Sequence, residues 1–215
     1  MYALIIDGEV VKYPYSLAEM RADNPDTSFG AEPSDETMAE FGRVEVAPSD
    51  TPPVAVEQVA EEVEPALIEG AWTQQWTVRD KTSEELAEAK QAKRQAVTQK
   101  LASIFAGGFT PAIGPLAGKT LQTRDMEDRT NWLTSQAAYS AAVAAGQGSE
   151  EGAVFRTAAN ETIATTYQNG LLTLLAMAAW GKAIMGHSWS LKDEIEAAQS
   201  FADLAAIDIE AGWPS

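Results

Sequence analysis

Between Pro48 and Gly70 the chain carries four prolines and six acidic residues and not one basic residue. Proline lacks the amide hydrogen that helices and central strands need, and a run of like charges repels itself and extends. The segment therefore divides the chain. The expectation is an extended acidic linker over residues 48–70, with one short strand around Pro53–Val59. What lies on either side has to build its own core or lean on a neighbour.

The part before it reads as a small attachment module over residues 1–47. Two apolar runs, Tyr2–Ile6 and Glu9–Tyr15, flank Asp7-Gly8, the dipeptide that supplies positive φ angles in a tight hairpin turn. Pro14 is expected to end the second strand. Ser16 with Glu19 forms the pattern of a capping box before a helix over Leu17–Ala22, and Ser34 opens a second helix over Asp35–Phe41. Gly42 stands where a C-terminal glycine would, and Arg43–Ala47 reads as a short strand. About 47 residues make a small core, so this module is expected to lean on another.

After the linker, a third segment over residues 71–106 combines a strand and a connecting helix. Trp72, Gln74, Trp76 and Val78 share one face of the strand, and Thr73, Gln75 and Thr77 the other. Thr82 or Ser83 then caps a helix running to about Phe105, its acid-rich opening matching the helix dipole. Its apolar stripe is irregular, with Lys90 and Lys93 where a clean heptad wants apolar residues. Two arrangements stay open: a short bundle at a symmetry axis, or a helix lying on its own domain.

Residues 107–215 read as one mostly helical α+β domain. A loop over Pro111–Gly118 and a short strand over Lys119–Thr123 precede an alanine-rich helix, Met126–Ala145, with Trp132, Leu133, Ala137 and Ala141 toward one side. A hairpin comes next, Ala153–Thr157 with Thr162–Tyr167, turning at Ala159-Asn160-Glu161. A long helix is expected from about Gln168 to Ser200, weakened at Gly181 and Gly186, then a short one over Phe201–Ile209. The longest apolar stretch, Leu171–Met185, is too short for a bilayer span of roughly 20 residues, so it reads as a buried helix. The opening residues lack a basic region and cleavage site, so no signal peptide is expected.

Charge narrows the partners. The chain carries 32 acidic and 15 basic side chains, a net charge of −17, and residues 1–70 hold sixteen of those acids against three basic residues. Such a surface repels phosphate, so neither nucleic acid nor an anionic membrane is an expected partner. The 215 residues include no cysteine, which removes disulfides, thiolate nucleophiles and cysteine zinc sites.

The catalytic inventory is equally thin. The one histidine, His187, lies in a helix dense with apolar side chains and is expected to be a structural or surface residue rather than a base. Histidine pairs and calcium-loop spacings are absent. Asp125, Glu127 and Asp128 crowd a helix start, where capping accounts for them. Gly118-Lys119-Thr120 has the tail of a phosphate-binding loop, but the glycine that loop requires falls on Ile113. No catalytic, cofactor-binding or metal-binding residue is therefore assigned. The residues carrying interface potential are Trp72, Trp76, Trp189 and Trp213, because tryptophan is enriched at binding hot spots; each could equally fill its own core.

Two stretches carry a resemblance. Gly8-Glu9-Val10-Val11-Lys12-Tyr13-Pro14-Tyr15-Ser16, followed by Arg21-Ala22-Asp23-Asn24-Pro25-Asp26-Thr27-Ser28-Phe29, resembles the opening of bacteriophage tail-fibre and fibre-assembly proteins. Ala71–Asp80 with Thr82-x-Glu84-Glu85 is similar to the link such proteins carry before a helix. The last hundred or so residues, through Asp125–Trp132, Phe155–Thr162, His187 and Ile207–Pro214, resemble an uncharacterised domain found at the C-terminus of these proteins. The resemblance implies a non-enzymatic virion protein of the tail, fibre- or baseplate-associated, contacting other tail proteins and itself as a trimer, and present in the host cytoplasm during assembly. The alternative is a fibre-assembly chaperone absent from the finished particle. A small hydrolase of cell-surface glycan is a third reading, since paired carboxylates can occur among 32 acids.

Overall fold

The computed structural model describes residues 1–214. It is an α+β protein of seven strands and six α-helices among the described residues, with only small antiparallel sheets. Its internal contacts separate two units, Met1–Thr82 and the chain from Ser83 onward.

The first unit opens with β1 (Tyr2–Ile6) and β2 (Glu9–Lys12), turned at Asp7-Gly8 with positive φ at both residues, as their sequence requires. α1 (Leu17–Asp23) starts at Ser16, whose hydroxyl accepts from the Glu19 amide while the Glu19 carboxylate accepts from Ser16 N–H at 2.8 Å. α2 (Asp35–Glu40) is capped by Ser34, and β3 (Arg43–Glu45) returns to pair with β1, giving the order β2-β1-β3. Tyr15, Met20 and Met38 form the buried core, and Phe29 meets Phe41 edge-on at 4.9 Å. Gly42 is needed where it stands: its φ is +73°, and a Cβ there would lie 2.7 Å from the Ile5 carbonyl oxygen.

The expected acidic linker over residues 48–70 is corrected by the structure. Its second half is an eleven-residue strand, β4 (Gln58–Ile68), paired along its length with β5 (Ala71–Asp80). The strand begins at Gln58, so the short strand expected around Pro53–Val59 is displaced as well. Three of the four prolines precede it. The fourth, Pro65, falls in a bulge between Val63 and Ala66, where no ladder hydrogen bond is lost. The carboxylates are accommodated because a two-stranded ribbon leaves its edges and much of its faces in water, and Glu61 pairs with Arg79. Across β5, Ala47 donates its amide to Trp72 O at 2.8 Å and accepts from Gln74 N–H at 2.9 Å, which gives the ribbon a third partner on one edge. The strand of the expected 71–106 segment thus belongs with the first unit, and its helix with the second.

The second unit starts with α3 (Ser83–Gly107). A single 3-10 turn at Gly114–Leu116 comes next, then α4 (Met126–Ala144), the hairpin β6 (Glu151–Arg156) and β7 (Thr162–Thr166), α5 (Tyr167–Ala197) and α6 (Phe201–Ala206). The expected strand over Lys119–Thr123 reduces to isolated bridges from Leu121 to Phe109 and Thr157, because Leu121 alone is held between two neighbours. α5 runs unbroken through Gly181 and Gly186 for 31 residues, about 46 Å at 1.5 Å per residue. Its first half packs Leu174 and Met177 into a core with Phe109, Leu121, Tyr139 and Phe155. Its second half packs Leu191 and Ile195 against Val97 of α3 and Leu204 of α6. A helix clamped at both ends tolerates glycines that would fray it in isolation. Among the described residues no helix is long and apolar enough to cross a membrane.

Candidate functional site

α5 presents Met177, Gly181, Met185 and Trp189 at four-residue spacings, the repeat of one helix face. α4 answers with Arg129, Leu133 and Gln136 at spacings of four and three. Between these faces, and closed on one side by Phe105 near the end of α3, lies an open groove of about 410 Å3. Its base is fixed. Trp180 meets Phe105 edge-on at 5.6 Å and Phe109 at 5.4 Å, while Trp132 stacks on Phe155 and donates its indole N–H to Gln122 O at 2.7 Å. Gly181 keeps the base low, since a Cβ there would touch only the Phe105 ring, at 3.8 Å.

The rim is different in kind. Leu133 is 65% exposed and Trp189 58% exposed, and both line the groove. Single exposed apolar residues are ordinary; here two large ones border the same groove. Two exposed cations, Arg129 and Lys182, line the same groove, and no Asp or Glu does. Arg129 donates through Nε to Asp125 O at 2.9 Å and lies 5.4 Å from the Phe105 ring centre. Neither Arg129 nor Lys182 has a carboxylate partner among the described residues. Elsewhere the cations of the chain are commonly paired, as in Lys12–Glu19, Arg94–Glu196 and Lys119–Glu161. The groove therefore offers apolar area and uncompensated positive charge. Its lining holds no carboxylate, histidine or cysteine.

The four tryptophans named from the sequence are not brought together. Trp72 and Trp76 are half-buried on one face of β5 in the first unit, Trp72 opposite Leu67, with the Trp76 indole donating to Ser49 Oγ at 3.1 Å. Trp213 is half-buried against the α3–α5–α6 core, donating to Ile209 O at 2.9 Å. Its ring meets His187 edge-on at 4.8 Å, and His187 Nε2 is 3.0 Å from Ala211 O. That pair ties the C-terminal tail to α5, and it accounts for both residues without a partner. Trp189 alone stands at the groove.

Sequence reasoning missed Phe105, Leu133, Lys182 and Met185 as site residues. One signal was available. Trp132 and Leu133 are adjacent on a helix, about 100° apart, so a single core cannot take both fully.

Other sequence patterns fall outside the groove. Lys119 of the phosphate-loop-like tail pairs with Glu161 at 2.7 Å. Asp125 caps α4 by accepting from the Asp128 amide at 2.9 Å. Among the described residues no group of three or more His, Asp or Glu side chains is placed to hold a metal.

No curated protein and no solved structure matches the chain significantly. A family model described as a domain of unknown function, DUF4376, matches residues 88–211. The matched span holds all of α4, the β6–β7 hairpin, α5 and α6, and with them the groove. By that match, which covers more than half of its length, the chain belongs to the DUF4376 family.

Proposed function

We propose that the protein is a structural component of a bacteriophage tail, fibre- or baseplate-associated, that works by protein–protein contact and catalyses nothing. The observation that carries the contact part of this reading is the groove between α4 and α5, whose rim exposes Leu133 and Trp189 beside two unpaired cations. Large apolar side chains held in water at the edge of a preformed groove lose free energy that a docked partner returns, at about 25 cal/mol per Å2 of apolar area covered. The tail context comes from the likeness of the opening and link segments to tail-fibre proteins. The acidic first unit, with its small capped module and long two-stranded ribbon, suits an attachment element that avoids nucleic acid.

A fibre-assembly chaperone is the second reading, and the same groove favours it equally, because a chaperone also has to hold an apolar segment of its client. Quantitative mass spectrometry of purified particles, measured against the major tail protein, separates the two. A fixed copy number in multiples of three or six is the result expected of a trimeric tail component. Abundance in infected cells with absence from particles would transfer the proposal to the chaperone. Absence from both would overturn the tail assignment.

A further inference from the structure

We infer that the α4–α5 groove takes an amphipathic helix of another protein, one whose apolar face is flanked by carboxylates. The inference rests on the reading of the chain as acting by protein contact, and adds the chemistry of the partner.

Three observations select this occupant. The groove is an open trough between two helices with a base of fixed aromatic rings, the geometry in which a third helix lays anchors at i, i+3 or i+4, and i+7. Its charge is the reverse of the molecule's. In a chain with 32 acids and 15 basic residues, the lining holds Arg129 and Lys182 and no acid. Neither cation is neutralised by a carboxylate among the described residues, whereas Arg124, just before α4, is paired with Asp128 at 3.2 Å. Charge of one sign left at the rim of an apolar site steers and selects a partner of the opposite sign. The same charge argues against a second copy docking groove to groove. A two-fold axis would bring Arg129 and Lys182 against their own copies, with no lining carboxylate to offset them.

The test uses the full-length protein and two fluorescein-labelled helical peptides. They share Leu at i, i+4 and i+7 and differ only in Glu or Lys flanking that face, and binding is read by fluorescence anisotropy at low salt. The Glu peptide is expected to bind at least about fivefold more tightly than the Lys peptide, with the difference shrinking as salt rises. The double variant Arg129→Glu/Lys182→Glu, at two exposed positions, is expected to reverse the preference. Leu133→Asp is expected to weaken both peptides, with circular dichroism and melting temperature unchanged.

Equal binding of the two peptides, failure of both to bind, or a preference that survives the charge reversal would overturn the inference. So would light scattering that shows a dimer which Leu133→Asp converts to monomer, because the occupant would then be a second copy. Failure here is separable from failure of the functional proposal: particle mass spectrometry does not depend on the groove, and the charge preference is measurable whether or not the chain is found in particles.

Discussion

Thr173 and Ser188 sit on α5 with their hydroxyls enclosed and without a hydrogen-bond partner among the described residues. An unpaired buried hydroxyl costs about 1–3 kcal/mol, and valine has the shape of threonine without that cost. Thr173→Val is expected to raise stability by up to about 1 kcal/mol in urea denaturation; a loss of that size would show that the hydroxyl has a partner. Tyr15 is a buried residue whose cost is met. Its hydroxyl donates to Asp23 at 2.9 Å, and burial, reinforced by that carboxylate, pushes its pKa up to about 12. Tyr13 is shifted the same way, up to about 12, by burial and then by Glu62. An unfolded tyrosine loses its proton near pH 10. Because the folded state holds the proton more tightly, this stabilisation is complete below about pH 10 and is lost as pH rises toward 12. Alkaline titration of the melting temperature should show the fall in that window, and Tyr15→Phe should flatten it. An unaltered slope would mean that Tyr15 is not the group responsible. At the acid end Glu19, which accepts from Lys12 and from both Ser16 donors, has its pKa held down at about 2, so its cap is lost only as pH falls toward that value.

Among the elements, what was legible in the sequence had a local cause. Asp7-Gly8 announces its turn, Ser16 with Glu19 its capping box, and Asp125 its cap, because each depends on neighbours within four residues. β4 had no such cause. Its turn is Glu69-Gly70, and glutamate is a poor occupant of a positive φ, here +49°. Its prolines and acids speak against a strand, and the pairing that stabilises it comes from β5 and, beyond β5, from Ala47. A strand specified by its partners is invisible to a reading of its own residues. Glu69→Asn supplies the residue type the turn prefers and is expected to stabilise the ribbon by up to about 1 kcal/mol in thermal denaturation. A marked loss would show that the Glu69 side chain holds a contact of its own. α5 was legible in kind and nearly in length. Its continuity through Gly181 was not, because that depends on cores at both ends.

For the molecule as a whole, the α+β class and the presence of an acidic first part and a helical second part could be read from composition and periodicity. The dividing line could not, since the Trp72–Val78 strand looks like the start of the helical part and is bound to the acidic one. The candidate site was legible in one residue, Trp189. Trp213, named beside it from the sequence, is held to its own core by Ile209 and His187. The groove itself depends on α3, α4 and α5 meeting, with Phe105, Leu133 and Met185 about 28 and 52 residues apart along the chain. If the protein is the tail component proposed and the groove is where it does its work, damage confined to the groove's rim must cost the phage infectivity. Leu133→Asp put in place of the wild-type protein during phage growth asks this directly, with Val154→Asp, at another exposed position on β6 outside the groove, as the control. Leu133→Asp is expected to lower infectious titre by about tenfold or more, the effect of losing a hot-spot contact, while Val154→Asp leaves it unchanged and both proteins melt at the wild-type temperature. Equal titres for Leu133→Asp and wild type would mean that the protein does its work elsewhere.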